Sequence, residues 1–379
     1  GDAHAGGAAD VALRRLLVET GEAAGLDAVG IAGAGPFDDV RRTLEARRHR
    51  GLSAGMAFTY RNPARSTDPG RALQGARSLV VGAMSYLRRP PGAPADRPGP
   101  TGAVARYSWD DRYRPLREAL QAVARVLVDR GWQALVLADD NALVDRAAAH
   151  RAGIGWWGKN TNLLLPGRGS WFVLGSVLTD APLPPSGAPV PDGCGTCRRC
   201  LTACPTGALV APGVLDARRC LAWLLEAPGA FPRQHRVALG GRVYGCDDCQ
   251  EVCPPNRSAG RADPPPAAPG AEPWVDLVDV LASTDEELLA RFARWYVPRR
   301  EARYLRRNAL VALGNVGDGV DPRVRAAIDA ALSDPDPLVR GHAVWAARRL
   351  GLDDLVAART AQETDAEVLE EVGAAVPPR

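Results

Sequence analysis

An α/β domain, then a cysteine-rich domain, then a tail of paired α-helices is the order of parts that the sequence predicts. Three observations predict it. Short apolar runs alternate with amphipathic stretches up to about residue 185. All eight cysteines fall between Cys194 and Cys253. Beyond a Pro-rich segment, a helical apolar pattern recurs at a spacing of 33 residues, with Arg307 and Arg340 in equivalent places. The 379 residues leave room for two or three domains, and a hydrophobic content of 46% can give them cores.

Val11 to Ala24 reads as an amphipathic helix, with Leu13, Leu16 and Leu17 on one side. Residues 27–32 read as a short buried strand, and 38–48 as a helix that becomes basic towards its end. A strand at 78–84 follows, then a Pro- and Gly-rich stretch at 88–102 expected to be a mobile loop. Helix 115–130, strand 132–138, helix 141–152 and strand 170–178 complete an α/β domain over 1–185. The cysteine domain takes 186–256. Residues 257–273 contain Asp263-Pro264-Pro265-Pro266 and read as an extended linker. Residues 274–379 read as HEAT-like helical repeats.

Formal charge is only +3, so any nucleic-acid footprint must be local. No apolar run reaches membrane-spanning length, and the first residues lack a basic segment followed by an apolar core. The expectation is a cytoplasmic protein. Of 47 basic residues one is lysine, Lys159, a compact ammonium that arginine does not replace.

The cysteines carry the chemistry. Cys194, Cys197, Cys200 and Cys204 precede Pro205, a C-x2-C-x2-C-x3-C-P run. Cys246, Cys249 and Cys253 precede Pro254, and the outlying Cys220 supplies an eighth. Thiolates suit zinc or iron–sulfur clusters. A zinc site needs two separated pairs and no third cysteine in the same loop. Two [4Fe–4S] clusters use the pattern fully, since in two-cluster ferredoxins the cysteine before proline ligates the other cluster. One cluster then takes Cys194, Cys197, Cys200 and Cys253, the other Cys204, Cys220, Cys246 and Cys249. No thiol is left for a disulfide, as in a reducing compartment.

The order of parts resembles the epoxyqueuosine reductase family. The resemblance covers nearly the whole chain and rests on Gly55-Met56 through Arg61, Gly75-Ala76-Arg77-Ser78-Leu79-Val80-Val81, and Arg151 to Thr161. Gly169 to Gly175, Cys204-Pro205-Thr206-Gly207-Ala208-Leu209 and Tyr244 to Pro254 add to it. It implies an α/β cobalamin-binding domain beside a two-cluster ferredoxin-like domain and HEAT-like repeats. It implies reduction of epoxyqueuosine to queuosine at the wobble position of tRNA, with an external low-potential electron donor and, as expected here, a monomer. Cobalamin contacts carry over to Arg61, Lys159, Asn160, Thr161, Leu163, Ser170 and Leu174. Asp247 and Asp248 bring a cluster loop to the corrin edge, or form a solvated turn.

The family's acid heads a D-x-x-P segment before E-R. Here that segment reads Asp139-Asp140-Asn141-Ala142-Leu143-Val144-Asp145-Arg146, with Ala142 for the proline and Asp145 for the glutamate. Counting back from Arg146 gives Asp139 as proton donor, with Asp140 the adjacent alternative and the expected cap of a helix starting at Asn141. The family's Asp-Tyr-His is Arg112-Tyr113-Arg114 here, so Tyr113 is kept and the histidine is not. Between Arg291 and Arg307 seven arginines face one acid, with Phe292, Trp295, Tyr296 and Tyr304 interleaved. Arg299, Arg300, Arg303, Arg306 and Arg307 are the expected tRNA contacts, since arginines grip phosphate and aromatics stack on bases. The alternatives are a corrinoid reductive dehalogenase and an electron-transfer ferredoxin with helical adaptor repeats.

Overall fold

The computed structural model describes the backbone of residues 2–92 and 99–377, and side chains from residue 10 onward within those ranges. The first domain is built on a four-stranded sheet ordered β1 (Ala28–Gly33), β2 (Ser78–Ser85), β7 (Phe172–Thr179), β4 (Ala134–Ala138). Alternate residues of each strand enter different cores. Val80, Met84, Val173 and Val177 meet α1 (Asp2–Ala23) and α4 (Tyr113–Val128) through Leu17, Leu116, Leu120 and Val123. Leu79, Val81, Leu174 and Leu178 meet Phe37, which precedes α2 (Asp38–His49), and Ala147–Ala149 of α5 (Asp145–Arg151). The short α3 (Pro63–Ser66) lies in the β1–β2 connection. Gly82 and Gly175 are paired across the sheet, and a Cβ on either would press on Leu120. Their bareness lets α4 sit down on the sheet.

Every pairing in this sheet is antiparallel. Alternating strands and helices in a sequence often build a parallel sheet, which binds ligands at the carboxyl ends of its strands. An antiparallel sheet has no such edge. The site lies instead where β4 ends beside the start of β7.

Two hairpins follow: β5 (Trp156–Trp157) with β6 (Leu163–Leu164), and β8 (Leu209–Ala211) with β9 (Val214–Leu215). The cysteine segment adds α6 (Arg199–Ala203), α7 (Leu221–Glu226), α8 (Arg233–Leu239), α9 (Asp248–Glu251) and α10 (Pro254–Arg261). Its β10 (Arg242–Tyr244) joins β3 (Thr101–Val104) and β11 (Trp274–Asp276) in a second sheet. The tail comprises α11 (Leu277–Ala282), α12 (Asp285–Arg291), α13 (Arg303–Val316), α14 (Pro322–Ala331), α15 (Pro337–Arg349), α16 (Asp353–Thr360) and α17 (Ala366–Gly373). α13 packs on α15 and α15 on α17, so the pattern repeated at Arg307 and Arg340 forms adjacent helices. One apolar core runs from Val104 and Trp109 through Leu221, Leu225 and Val243 to Leu310, Val344 and Val368.

Three local expectations change. Residues 141–144 are a turn, and α5 starts at Asp145. The Asp140 carboxylate accepts the Ala142 N–H, and Ser66 Oγ donates to the Asn141 carbonyl, so both groups are diverted from a helix. The supposed linker opens as α10, because Pro254 is preorganised for a first helical turn, and Ala267 then donates to the Arg89 carbonyl. Of the loop at 88–102, residues 93–98 lie outside the described residues, and Thr101 already belongs to β3. No helix among the described residues is long and apolar enough to cross a membrane.

Candidate active site and thiol cavities

The eight cysteines divide between two cavities. One, of about 370 Å³, is walled by Cys194, Cys197, Cys200 and Cys253. The other, of about 450 Å³, is walled by Cys204, Cys220, Cys246 and Cys249. The prolines explain the crossing. Cys204 leaves α6 in an extended conformation and Pro205 prevents the helix from continuing. Cys253 is the extended residue before α10, with Pro254 in its first turn. Each pre-proline thiol thereby turns away from its own run. Among the described residues no three His, Cys, Asp or Glu side chains converge on a single-ion position. Burial pushes Cys246 up to about 12 and Cys253 to about 11, with neighbouring acidic groups or thiols adding to it. Such thiols become ligands only when a cationic centre offsets that cost.

The β5–β6 hairpin clamps both quartets. Lys159 Nζ donates to the carbonyls of Gly195 and Cys197, the latter at 2.9 Å. Asn160 Nδ2 donates to the Cys249 carbonyl at 3.3 Å, and Asn160 lines both cavities. A second tie is buried: Ser170 Oγ donates to Gln250 Oε1, and Asn256 Nδ2 donates back to Ser170 Oγ, both at 2.9 Å.

The larger cavity also contains Asp139, Asp145, Tyr107 and Tyr113. Asp139 follows the last residue of β4 with φ of +56°, a left-handed conformation that aspartate tolerates better than most residues. Arg117 Nη2 donates to the Ala138 carbonyl at 3.2 Å, so the strand end and the turn after it are both held. The side chain reaches open space through the cavity, yet the protein around it partly desolvates it. That crowding raises the Asp139 carboxyl above its ordinary value, Arg117 opposes the rise, and Asp140 adds to it. Burial, then the Asp139 charge, lifts Asp145 well above its usual range. Burial and Asp139 likewise keep the Tyr113 hydroxyl protonated. Tyr107 donates to Glu226 Oε1 at 2.7 Å, and burial holds Glu226 at about 7. The sequence offered no signal for this pair, whose members are far apart along the chain.

The residues expected at cobalamin separate into groups. Asn160, Thr161, Leu174, Asp247 and Asp248 line the cavity beside Asp139. Asp247 Oδ2 accepts the Arg106 N–H, and Asp248 is ion-paired with Arg242 at 2.6 Å. Lys159 lines the other cavity and is spent on cluster-loop carbonyls. Ser170 is absorbed in the tie to Gln250 and Asn256. The Leu163 side chain belongs to the α5 core, and Arg61 is exposed outside the cavity wall.

Comparison with known proteins bears on this arrangement. The sequence profile described as a 4Fe-4S double cluster binding domain matches residues 193–256. An epoxyqueuosine reductase from Bacillus anthracis is 32% identical over 368 residues, 95% of this chain and 96% of that one. The chain belongs to the epoxyqueuosine reductase family. A solved epoxyqueuosine reductase holding an epoxyqueuosine-modified tRNA-Tyr stem loop superposes with a TM-score of 0.86 at 31% identity, over 96% of this chain and 97% of that one. One from Bacillus subtilis, solved with its catalytic aspartate loop swung out of the active site, gives 0.86 at 30% identity over 96% and 98%.

As a member of the epoxyqueuosine reductase family the chain invites the question of which arginines stay free. Arg307 does not: it is fully buried and cannot reach a phosphate. Its guanidinium donates to the carbonyls of Leu224, Leu225, Ala227 and Gly229, capping the C-terminus of α7, the helix that begins after Cys220. Arg306 is mostly covered and bound to Asp285 and the Ser283 carbonyl, while Arg303 is paired with Glu301 and Asp336. Arg299 and Arg300 are exposed, although Arg299 is ion-paired with Glu301 at 2.7 Å and Arg300 donates to the Leu289 carbonyl at 2.7 Å, so both keep accessible but already engaged guanidinium groups. Phe292, Trp295 and Tyr304 are core residues, with Phe292 and Trp295 stacked at 4.0 Å, whereas Tyr296 is 57% exposed.

Proposed function

We propose that the chain reduces epoxyqueuosine to queuosine at the wobble position of tRNA, as a cytoplasmic monomer supplied by an external low-potential electron donor. The observation that carries this reading is one cavity holding a raised-pKa aspartate and a thiol quartet together. Cys194, Cys197, Cys200 and Cys253 hold one [4Fe–4S] cluster, and Cys204, Cys220, Cys246 and Cys249 the other. All-sulfur donor sets around open space suit cubane clusters.

Cobalamin fits the larger cavity by the chemistry of its walls. Phe172, Val173 and Leu174 offer apolar surface, and Asn160, Thr161 and Asn162 offer amide and backbone groups. When bound there it supplies reducing electrons to the substrate carbon. Asp139 holds the proton that the epoxide oxygen needs as its C–O bond breaks, because an alkoxide leaves poorly. Such general acid catalysis contributes roughly a hundredfold to ten-thousandfold. Tyr113 is a second protonated donor in the same wall. In sum, two electrons and two protons convert the epoxide to an alkene and water. Arg299, Arg300 and Tyr296 present the face for the tRNA, and the HEAT-like stack carries it.

The test is conversion of epoxyqueuosine-containing tRNA by chain reconstituted with iron, sulfide and cobalamin, using a chemical reductant. Nucleoside mass spectrometry should show loss of one oxygen. No conversion by fully loaded protein overturns the reading.

A further inference from the structure

The first thiol quartet lies in a cavity that Asp139 does not share, while Asn160 borders both cavities. Electrons consumed at the substrate beside Asp139 can then enter at the first quartet and pass onward across the wall that Asn160 shares. The surface around that entry has an unusual charge pattern. Arg198 and Arg199 are exposed beside Cys197 and Cys200. Arg257 and Arg261 are exposed on α10, four and eight residues after Cys253, a spacing that puts them along the same helix face. Among the described residues none of these four side chains has a hydrogen-bond or ion-pair partner. Many arginines elsewhere are neutralised, as Arg168 is by Asp27, Arg106 by Glu251 and Arg242 by Asp248. The nearby acids are already engaged: Asp192 accepts the Cys194 N–H and Asp263 pairs with Arg89. Exposed Pro254 and Gly193 keep the rim low between the charges.

We propose that Arg198, Arg199, Arg257 and Arg261 form the docking surface for a small acidic protein that carries one electron at a time. This deepens the proposed function by naming the class of its electron donor, and it rests on that reading for the presence of the clusters. Each docking oxidises the carrier by one electron and reduces the first cluster by one. Two dockings, with two protons from solvent, supply one epoxide reduction. Complementary charge raises the encounter rate and orients the carrier over the cavity. RNA is the less fitting occupant, because Trp156, the aromatic in this wall, is buried and offers no face for a base.

The experiment is stopped-flow reduction of the reconstituted full chain, followed by cluster absorbance without tRNA. The probes are a reduced acidic [2Fe–2S] ferredoxin and, separately, reduced methyl viologen. With ferredoxin the wild-type second-order rate should fall as salt rises. In the triple variant Arg198→Glu, Arg257→Glu, Arg261→Glu it should fall at least about tenfold and lose that salt dependence. Iron content should stay the same, and the rate with the viologen, a cation that the added acids attract, should not fall. The milder Arg257→Gln, Arg261→Gln variant should show a smaller loss in the same direction, which guards against a misfolded triple variant. A wild-type ferredoxin rate indifferent to salt overturns the proposal. So does an unchanged ferredoxin rate in both variants, or a raised KM for tRNA with ferredoxin reduction intact, which would make the patch an RNA surface. Because the readout is cluster reduction, a chain inactive on epoxyqueuosine can still pass, so the two proposals fail separately.

Discussion

The cysteine segment 194–253 and the arginine-rich stretch 291–307 both read as binding motifs, and they fold to opposite ends. Every cysteine reaches one of two cavities in the partition that the spacing implied. Of the five arginines expected to hold tRNA, one caps a buried helix end and three are tied into ion pairs, of which only Arg299 is exposed. A cysteine run with proline at fixed offset constrains direction as well as identity. An arginine count constrains neither, since the same guanidinium satisfies carbonyls in a core or phosphates outside it.

The largest effect that could break this contrast lies in the cysteines. Cys253→Ala should cost the cluster of Cys194, Cys197 and Cys200, and Cys204→Ala the cluster of Cys220, Cys246 and Cys249. Iron analysis and electron paramagnetic resonance of the two variants should show different clusters surviving. The same surviving cluster in both would undo the crossed partition.

Next in size is Arg307→Ala. Four backbone carbonyls and Asn308 lose a charged donor inside the core. The expected destabilisation is about 3 kcal/mol or more, with loosening of α7 and so of the Cys220 ligand. Chemical denaturation of the holoprotein measures it. A fully stable variant with weakened tRNA binding would return Arg307 to the surface role.

A smaller effect is expected from Arg299→Glu with Arg300→Glu. The KM for tRNA should rise several-fold and its salt dependence should shrink, with cluster content unchanged. An unaltered KM would leave 291–307 with no RNA role.

The smallest concerns pH. Glu226 titrates at about 7 in the fold against an ordinary 4.5, so the unfolded chain gives up this proton first as pH rises. Its contribution is complete below about pH 4.5 and is lost as pH climbs through about 7. Glu226→Gln should flatten that part of the stability profile without abolishing it, since Asp247, at about 6, slopes the same way. Identical profiles in denaturation between pH 5 and 8 would contradict the burial of this carboxyl.

Much of this was legible in residue order. The strands at 78–84 and 170–178 show as apolar runs because both faces of the sheet are covered. Strand direction was not legible, because antiparallel pairing depends on where long connections return. Lys159 is conspicuous in the sequence as a solitary lysine, but its acceptors here are carbonyls of the cysteine loop, and backbone acceptors leave no trace in side-chain identity. Asp139 and Asp140 could be separated only by their neighbours: Asp140 is consumed by the Ala142 N–H, which leaves Asp139 to the cavity. Tyr107 and Glu226 meet only through folding.

The account stands most directly on Asp139. Single-turnover reduction of an epoxyqueuosine-containing anticodon stem loop should be compared for wild type, Asp139→Asn and Asp140→Asn, each with iron and cobalamin content matched. The account predicts that Asp139→Asn keeps its cofactors and loses at least about a hundredfold in rate, while Asp140→Asn, still able to accept the Ala142 N–H, stays active. An active Asp139→Asn beside a dead Asp140→Asn would contradict it by one residue, and two active variants would remove both from the proton-donor role and leave Asp145 and Tyr113, the other protonated groups in that wall, as the donors to test.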